Sequence, residues 1–203
     1  MAKYSSHTDN ELMQLIVEKD SLAFSELYDR YNRMLVNYFY KMLWQDEEKA
    51  QDFMQDLFTK IVEKPKSFDV KRNFKTWMFS VANNMCKNEY RKQAVRKNTS
   101  YDLDENYQIK DTAMNAMDSL QDSQFSEKLN VELAKLDEKQ KSTFVMRYFQ
   151  ELSIKEIAET LDVSEGTVKS RLFYTLKKLT VSLKDFAPQL VKMLLVLIGI
   201  NSL

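Results

Sequence analysis

Two glycines and two prolines in 203 residues leave this chain with almost none of the residues that tight turns need. Globular proteins average roughly 7% glycine and 5% proline, and hairpin turns call for residues that tolerate positive φ. A sheet protein is therefore excluded as the first expectation, and the fold class expected is all-α. Cysteine and histidine are scarcer still, with Cys86 and His7 each alone. They make no disulfide and no zinc tetrad, and Ser/His or Cys/His catalysis would have to run through those two residues, far apart in sequence. The chain is expected not to be an enzyme, with no catalytic residue, no metal ligand and no cofactor. The N-terminus, MAKYSSHTDN, has no apolar stretch of the secretory kind, which points to the cytoplasm. The one long apolar run, residues 193–198 with Ile200 beyond Gly199, is much shorter than the ~20 residues a membrane span takes.

What the chain does have is charge, and the charge is segregated. The totals balance at 30 basic and 30 acidic side chains. Residues 1–59 carry 6 basic against 11 acidic, residues 60–97 carry 11 against 3, residues 98–126 carry 1 against 6, and residues 127–203 carry 12 against 10. Only the second block is strongly basic. A polyanion responds to a local patch and not to the chain average, so this block is the candidate nucleic-acid surface.

Apolar spacing organises the rest. A helical block is expected over residues 10–42, opened by Thr8 and Glu11 as a capping box. A second helix is expected over 47–62, burying Ala50, Phe53, Met54, Leu57, Phe58 and Ile61 and exposing an acidic, amide-rich face with Asp52, Gln55 and Asp56. The loop EKPKSFDVKRN follows, which Pro65 keeps from being helical. It is basic through Lys66, Lys71 and Arg72, ends at Asn73, and contains one aromatic, Phe68. Beyond it, Phe74, Trp77, Met78, Val81, Ala82 and Met85 are expected to form an apolar stripe. Ser80, Asn83, Asn84, Lys87 and Arg91 recur on the opposite face, with Lys75 at its start. Asparagine can pair with base edges, lysine and arginine with phosphates, and none of these residues repels a phosphate. Phe68 or Trp77 could stack on an unstacked base, worth ~1 to 3 kcal/mol, enough to offset a duplex step of about 1.4 kcal/mol.

Residues 98–126 lose this periodicity and read as an acidic interdomain linker. In the last domain, Asp137 and Gln140 open a helix with Phe144, Val145, Tyr148 and Phe149. Ser153 and Glu156 make a capping box for the next, and Ser164 caps a third that turns Val168, Leu172, Leu176, Leu179 and Leu183 inward. Two short helices separated by Asp162 and Val163 match a helix-turn-helix, whose second helix enters the major groove. Its outward side would be Thr167, Lys169, Ser170, Arg171, Phe173, Tyr174 and Lys177. Gly166 in its first turn leaves room for a DNA backbone. In the tail, residues 187–203, Pro188 is expected to end the preceding helix, and residues 189–200 could form an apolar helix that something must cover. Packing within the chain is the favoured cover, and holding the two domains in a compact inactive form is one way it could act.

QDFMQDLFTKIVEK, FDVKRNFKTWMFSVANNMCKNEYRK and LSIKEIAETLDVSEGTVKSRLFYTLKKL together resemble regions two and four of the sigma-70 family, in its small extracytoplasmic-function class. The resemblance covers about residues 20–97 and 127–184. It implies a dissociable subunit that gives bacterial RNA polymerase its promoter recognition. It also implies a domain at 1–97 that docks on polymerase and handles the minus-ten element, and a domain at 127–186 that reads the minus-thirty-five element, Ser164 included. Asp52, Gln55 and Asp56 would dock on the clamp of the largest polymerase subunit, with the flap a further polymerase contact. The loop and helix spanning 66–91 would recognise and melt the minus-ten element, and the linker would thread toward the RNA exit channel. Promoter DNA, core polymerase and an anti-sigma factor are the implied partners. The chain departs from the family pattern at Asn88, often Asp, at Asp137, often Pro, and at Tyr174, often Arg. The competing reading is a stand-alone helix-turn-helix regulator, in which residues 1–97 form a ligand or dimer domain. A helical adaptor that never meets DNA would leave the basic block unused.

Overall fold

A computed structural model of the chain describes residues 4–99 and 120–191. Among the described residues every regular element is helical, and the chain divides into two units, Met1–Tyr107 and Gln108–Leu203.

The first unit contains four helices. The capping box opens α1 (Asp9–Val17): Thr8 Oγ1 accepts from Glu11 N, and the Glu11 carboxylate accepts from Thr8 N at 2.7 Å. Hydrogen bonds from the Thr8 backbone and hydroxyl hold the Glu11 carboxyl below its ordinary pKa. The single block expected over 10–42 is two helices. Lys19 takes a left-handed backbone, φ 68°, and Asp20 then caps α2 (Ser21–Met42) by accepting from Leu22 N and Ala23 N. The break interrupts the helical hydrogen bonds over only a few residues, and the cap satisfies orphan N–H groups of α2. α3 (Glu47–Glu63) starts at the Asp46 cap, and its expected face is indeed inward, with only Phe53 half-buried. A 3-10 turn at Pro65–Ser67 then leads to α4 (Phe74–Thr99). α2 packs along α3, and α1 and α4 close over them. The fully buried side chains include Leu12, Leu27, Leu35, Tyr38, Phe39, Leu57, Phe74 and Phe79.

The second unit begins earlier than expected. α5 (Leu120–Ala134) includes residues 120–126, which the sequence assigns to the linker, and Phe125 on it packs against Phe186 and the core. The short polar run around it hides one aromatic anchor. α6 (Glu138–Tyr148), α7 (Ile154–Leu161) and α8 (Glu165–Ser182) match the expected trio, with Asp137, Ser153 and Ser164 as their caps. Leu129, Leu133, Phe144, Leu179, Leu183 and Leu190 form the core. Pro188 does not end α8, which stops at Ser182. It lies in the first turn of a helical stretch at 187–191, where its missing N–H costs nothing. The tail beyond 191 lies outside the described residues, as does most of the linker.

Turns in this glycine-poor chain are made by residues other than glycine. Lys19, Trp44, Gln45, Glu151 and Asp162 all have positive φ, and each stands between helices. For an L-residue that conformation costs roughly 1 to 2 kcal/mol.

Candidate nucleic-acid interface

The basic loop is built from its aromatic inward. Phe68 is 5% exposed and sits edge-on to Phe74 with ring centroids 5.4 Å apart, and 5.1 Å from the Trp77 ring. Trp77 is half-buried. Phe68 is therefore an anchor of the loop and not a free stacking platform, because burying the ring against two others is worth more than presenting it to solvent. With Phe68 inward, Lys66, Lys71, Arg72 and Asn73 face outward and are exposed. Asn73 also starts α4, its Oδ1 accepting from Thr76 N at 3.0 Å.

The buried face of α4 is turned relative to the expected stripe. Phe74, Met78, Phe79, Ala82, Asn83, Cys86 and Glu89 are buried, while Trp77, Val81 and Met85 are only half so. Asn83 is thus removed from the outer face. It is 2% exposed, and Tyr38 Oη donates to its Oδ1 at 3.3 Å across to α2. The neighbouring polar residues remain accessible, Asn84 and Arg91 exposed and Lys75, Ser80 and Lys87 half-buried. The sequence did not signal the pairing of Glu89. It is the one carboxylate in α4, and it lies buried against Lys49 of α3, Nζ to Oε1 2.6 Å. Lys49 also stands over the Trp44 ring, which meets Tyr90 edge-on, and the Tyr90 hydroxyl donates to the Met42 carbonyl. The outer face of α4 therefore presents cations and amides with no acid among them. Among the described residues none of Lys66, Lys71, Arg72, Lys87 and Arg91 makes an ion pair.

On α3 the acidic face stands as expected, with Asp52, Gln55 and Asp56 accessible. Beside it Phe24, Tyr28, Phe58 and Val62 line a shallow apolar groove with Gln55, Thr59 and Glu63.

In the second unit, α7 and α8 form the helix-turn-helix. Asp162 makes the turn with φ 54°, and Ser164 Oγ accepts from Thr167 N at 3.1 Å. Ser164 and Thr167 also share a hydroxyl contact at 3.0 Å, so both serve the cap. Lys169, Ser170, Phe173, Tyr174 and Lys177 project from α8 and are accessible, and Arg171 is half-exposed. Phe173 and Tyr174 are 62% and 57% exposed, large aromatics with no core to fill. A Cβ at Gly166 would meet only Ser164 Oγ at 3.7 Å, so packing within the chain does not call for glycine there. Lys178 Nζ donates to Gln140 Oε1 at 2.8 Å, tying α8 to α6.

No helix among the described residues is long and apolar enough to cross a membrane, and none of their His, Cys, Asp and Glu side chains group as a metal site.

Comparison with known proteins agrees with both halves. Residues 27–96 match the family described as sigma-70 region 2, and residues 126–179 the one described as sigma-70, region 4. The ECF RNA polymerase sigma factor SigW of Bacillus subtilis is 30% identical over 176 residues, covering 82% of this chain and 91% of SigW. The ECF RNA polymerase sigma-E factor of Haemophilus influenzae is 28% identical over 174 residues, covering 82% and 90%. Among solved structures, CnrH in complex with the cytosolic domain of CnrY shares the fold, with a TM-score of 0.65 at 21% identity over 87% of this chain and 97% of the matched chain. With two aligned regions in the right order and a relative matched over nine-tenths of its length, this chain belongs to the extracytoplasmic-function class of the sigma-70 family.

Proposed function

We propose that the chain acts in the cytoplasm as an initiation factor whose first unit captures the minus-ten element as the duplex opens. The observation that carries this is the α4 face. Its single carboxylate is folded away against Lys49, and Asn84, Lys87 and Arg91 stand on the helix that follows a loop presenting Lys66, Lys71 and Arg72. Cations on a fixed backbone attract phosphates, amides can read base edges, and neither repels the strand. Trp77, half-buried at the junction of loop and helix, is the ring placed to stack on an unstacked base.

The second unit reads the minus-thirty-five element with α8 in the major groove. Lys169, Ser170 and Arg171 are its polar contacts, and Phe173 and Tyr174 offer apolar contact to thymine methyl groups. Gly166 serves the approach to the DNA backbone in this reading, and packing within the chain does not itself call for glycine there. Asp52, Gln55 and Asp56 dock on the polymerase clamp, and the acidic linker follows the path of a nucleic acid. The solved structures that share the fold include one described as the sigma factor RpoE in complex with the anti-sigma factor NepR from Bartonella quintana. An anti-sigma factor is the matching partner here.

Co-elution with core polymerase and transcription from a promoter library test the proposal. The full chain should bind core and select a defined promoter class, and Asp56→Lys should reduce core association while the second unit stays folded. Autonomous operator binding with no dependence on polymerase would favour a stand-alone regulator instead.

A further inference from the structure

The basic loop at 64–73 carries its cations on a short irregular backbone, so whatever holds that backbone decides where they point. Within the loop, Ser67 Oγ donates to the Lys64 carbonyl at 2.7 Å, Arg72 N to the Asp69 carbonyl at 2.9 Å, and Lys71 N to Asp69 Oδ1 at 3.0 Å. From outside it, Asn10 on α1 reaches in from 60 residues away. Its Nδ2 donates to the carbonyl of Val70 at 2.6 Å and to that of Arg72 at 3.0 Å. One amide nitrogen thus directs both its hydrogens at the carbonyls on either side of Lys71.

The helix that carries Asn10 is itself fastened. Arg30 on α2 donates to Asp9 Oδ1 at 3.0 Å and to the carbonyls of Tyr4, Ser5 and His7. The Tyr31 hydroxyl donates to the Asp9 carboxylate, and the Tyr4 hydroxyl to Asp20 Oδ2 at 2.6 Å. A chain of contacts therefore runs from the centre of α2 through α1 to the loop.

We infer that Asn10 is a positioning residue for strand capture, setting the loop backbone from α1 so that Lys71 and Arg72 face the minus-ten strand. This rests on the proposal that the loop receives that strand. A primary amide suits this position because it is a neutral double donor, holding two carbonyls without adding a cation to the patch or an acid that would cancel one. An aspartate in the same place would bring only acceptors to face two acceptors.

The test uses the full chain assembled with core polymerase, and a labelled single-stranded oligonucleotide carrying the minus-ten element of a promoter this holoenzyme transcribes. Asn10→Ala and Asn10→Asp each weaken strand binding about tenfold, the scale of losing two partly exposed hydrogen bonds. Core affinity stays at the wild-type value, the melting temperature falls by no more than about a few degrees, and amide exchange at Lys71 and Arg72 speeds up. Asn10→Gln, which keeps both amide hydrogens, recovers most of the binding. Lys87→Ala is the control for the underlying reading. If it weakens strand binding and the Asn10 variants do not, the positioning role is overturned. If neither weakens it, the strand-capture proposal itself falls. A loss of core affinity that parallels the loss of strand binding, or a melting temperature lowered far enough to leave the chain partly unfolded at the assay temperature, also overturns the role, because Asn10 would then serve the fold alone.

Discussion

Asn83 and Asn84 are neighbours in sequence with opposite surroundings, one bonded to Tyr38 inside the unit and one in solvent. Removing a buried hydrogen-bond partner costs about 1 to 3 kcal/mol, whereas exposed substitutions stay within roughly 0.5 kcal/mol. Asn83→Ala should therefore lower the urea midpoint, and Asn84→Ala should leave it unchanged while slowing promoter opening. Lys41 is a second residue whose surroundings set its chemistry. Burial at the end of α2 pushes its ammonium down to about 8 from the ordinary 10.5. The unfolded chain then binds more protons than the folded one between those values, so this residue's contribution to stability rises with pH from about 8 to 10.5. Comparing the wild type with Lys41→Met across that range isolates the effect, and the wild type should gain on the variant as pH rises. Parallel curves would mean that Lys41 titrates normally.

At the scale of elements, α8 offers a substitution with two opposite signs. Gly166→Ala fills open space beside Ser164 Oγ and should raise helix stability by up to about 1 kcal/mol. If the missing Cβ serves DNA approach, the same variant should weaken minus-thirty-five binding, measured as transcription from promoters that depend on that element. Improved stability with unchanged transcription would give Gly166 no part in the interface. The caps were the legible part of these helices. Thr8, Asp137, Ser153 and Ser164 all sit where their side chains can accept from backbone N–H groups, and each opens a helix in the structure. The break at Lys19 was not legible, because a lysine in a left-handed turn carries no compositional mark. The turned face of α4 was missed for a different reason. Periodicity weighs hydrophobicity, and here two polar side chains, Asn83 and Glu89, are buried because Tyr38 and Lys49 on other helices receive them. For the same reason the sequence left stacking open to both Phe68 and Trp77, since only the tertiary neighbours show that Phe68 is covered and Trp77 only half so.

Over the whole molecule, the segregated charge is what the fold turns into a division of labour. Acidic side chains gather on α3 and basic ones on the loop and α4 of the same unit, and the proposed function gives the first to polymerase and the second to DNA. The start of the tail joins the second unit through Leu190, which is 4% exposed in the core with Phe144 and Leu179. Leu190→Ala should cost about 2 to 5 kcal/mol of that unit's stability, seen in thermal unfolding of the full chain. A negligible loss would mean that Leu190 packs there only loosely. The division of labour itself is tested most directly by permanganate reactivity of thymines in the minus-ten region of a promoter bound by reconstituted holoenzyme. With Lys87→Ala and Asn84→Ala, assembly with core should stay at wild-type affinity while thymine reactivity falls. Full reactivity in those variants, or normal opening with lost core binding, would contradict the assignment of strand capture to α4.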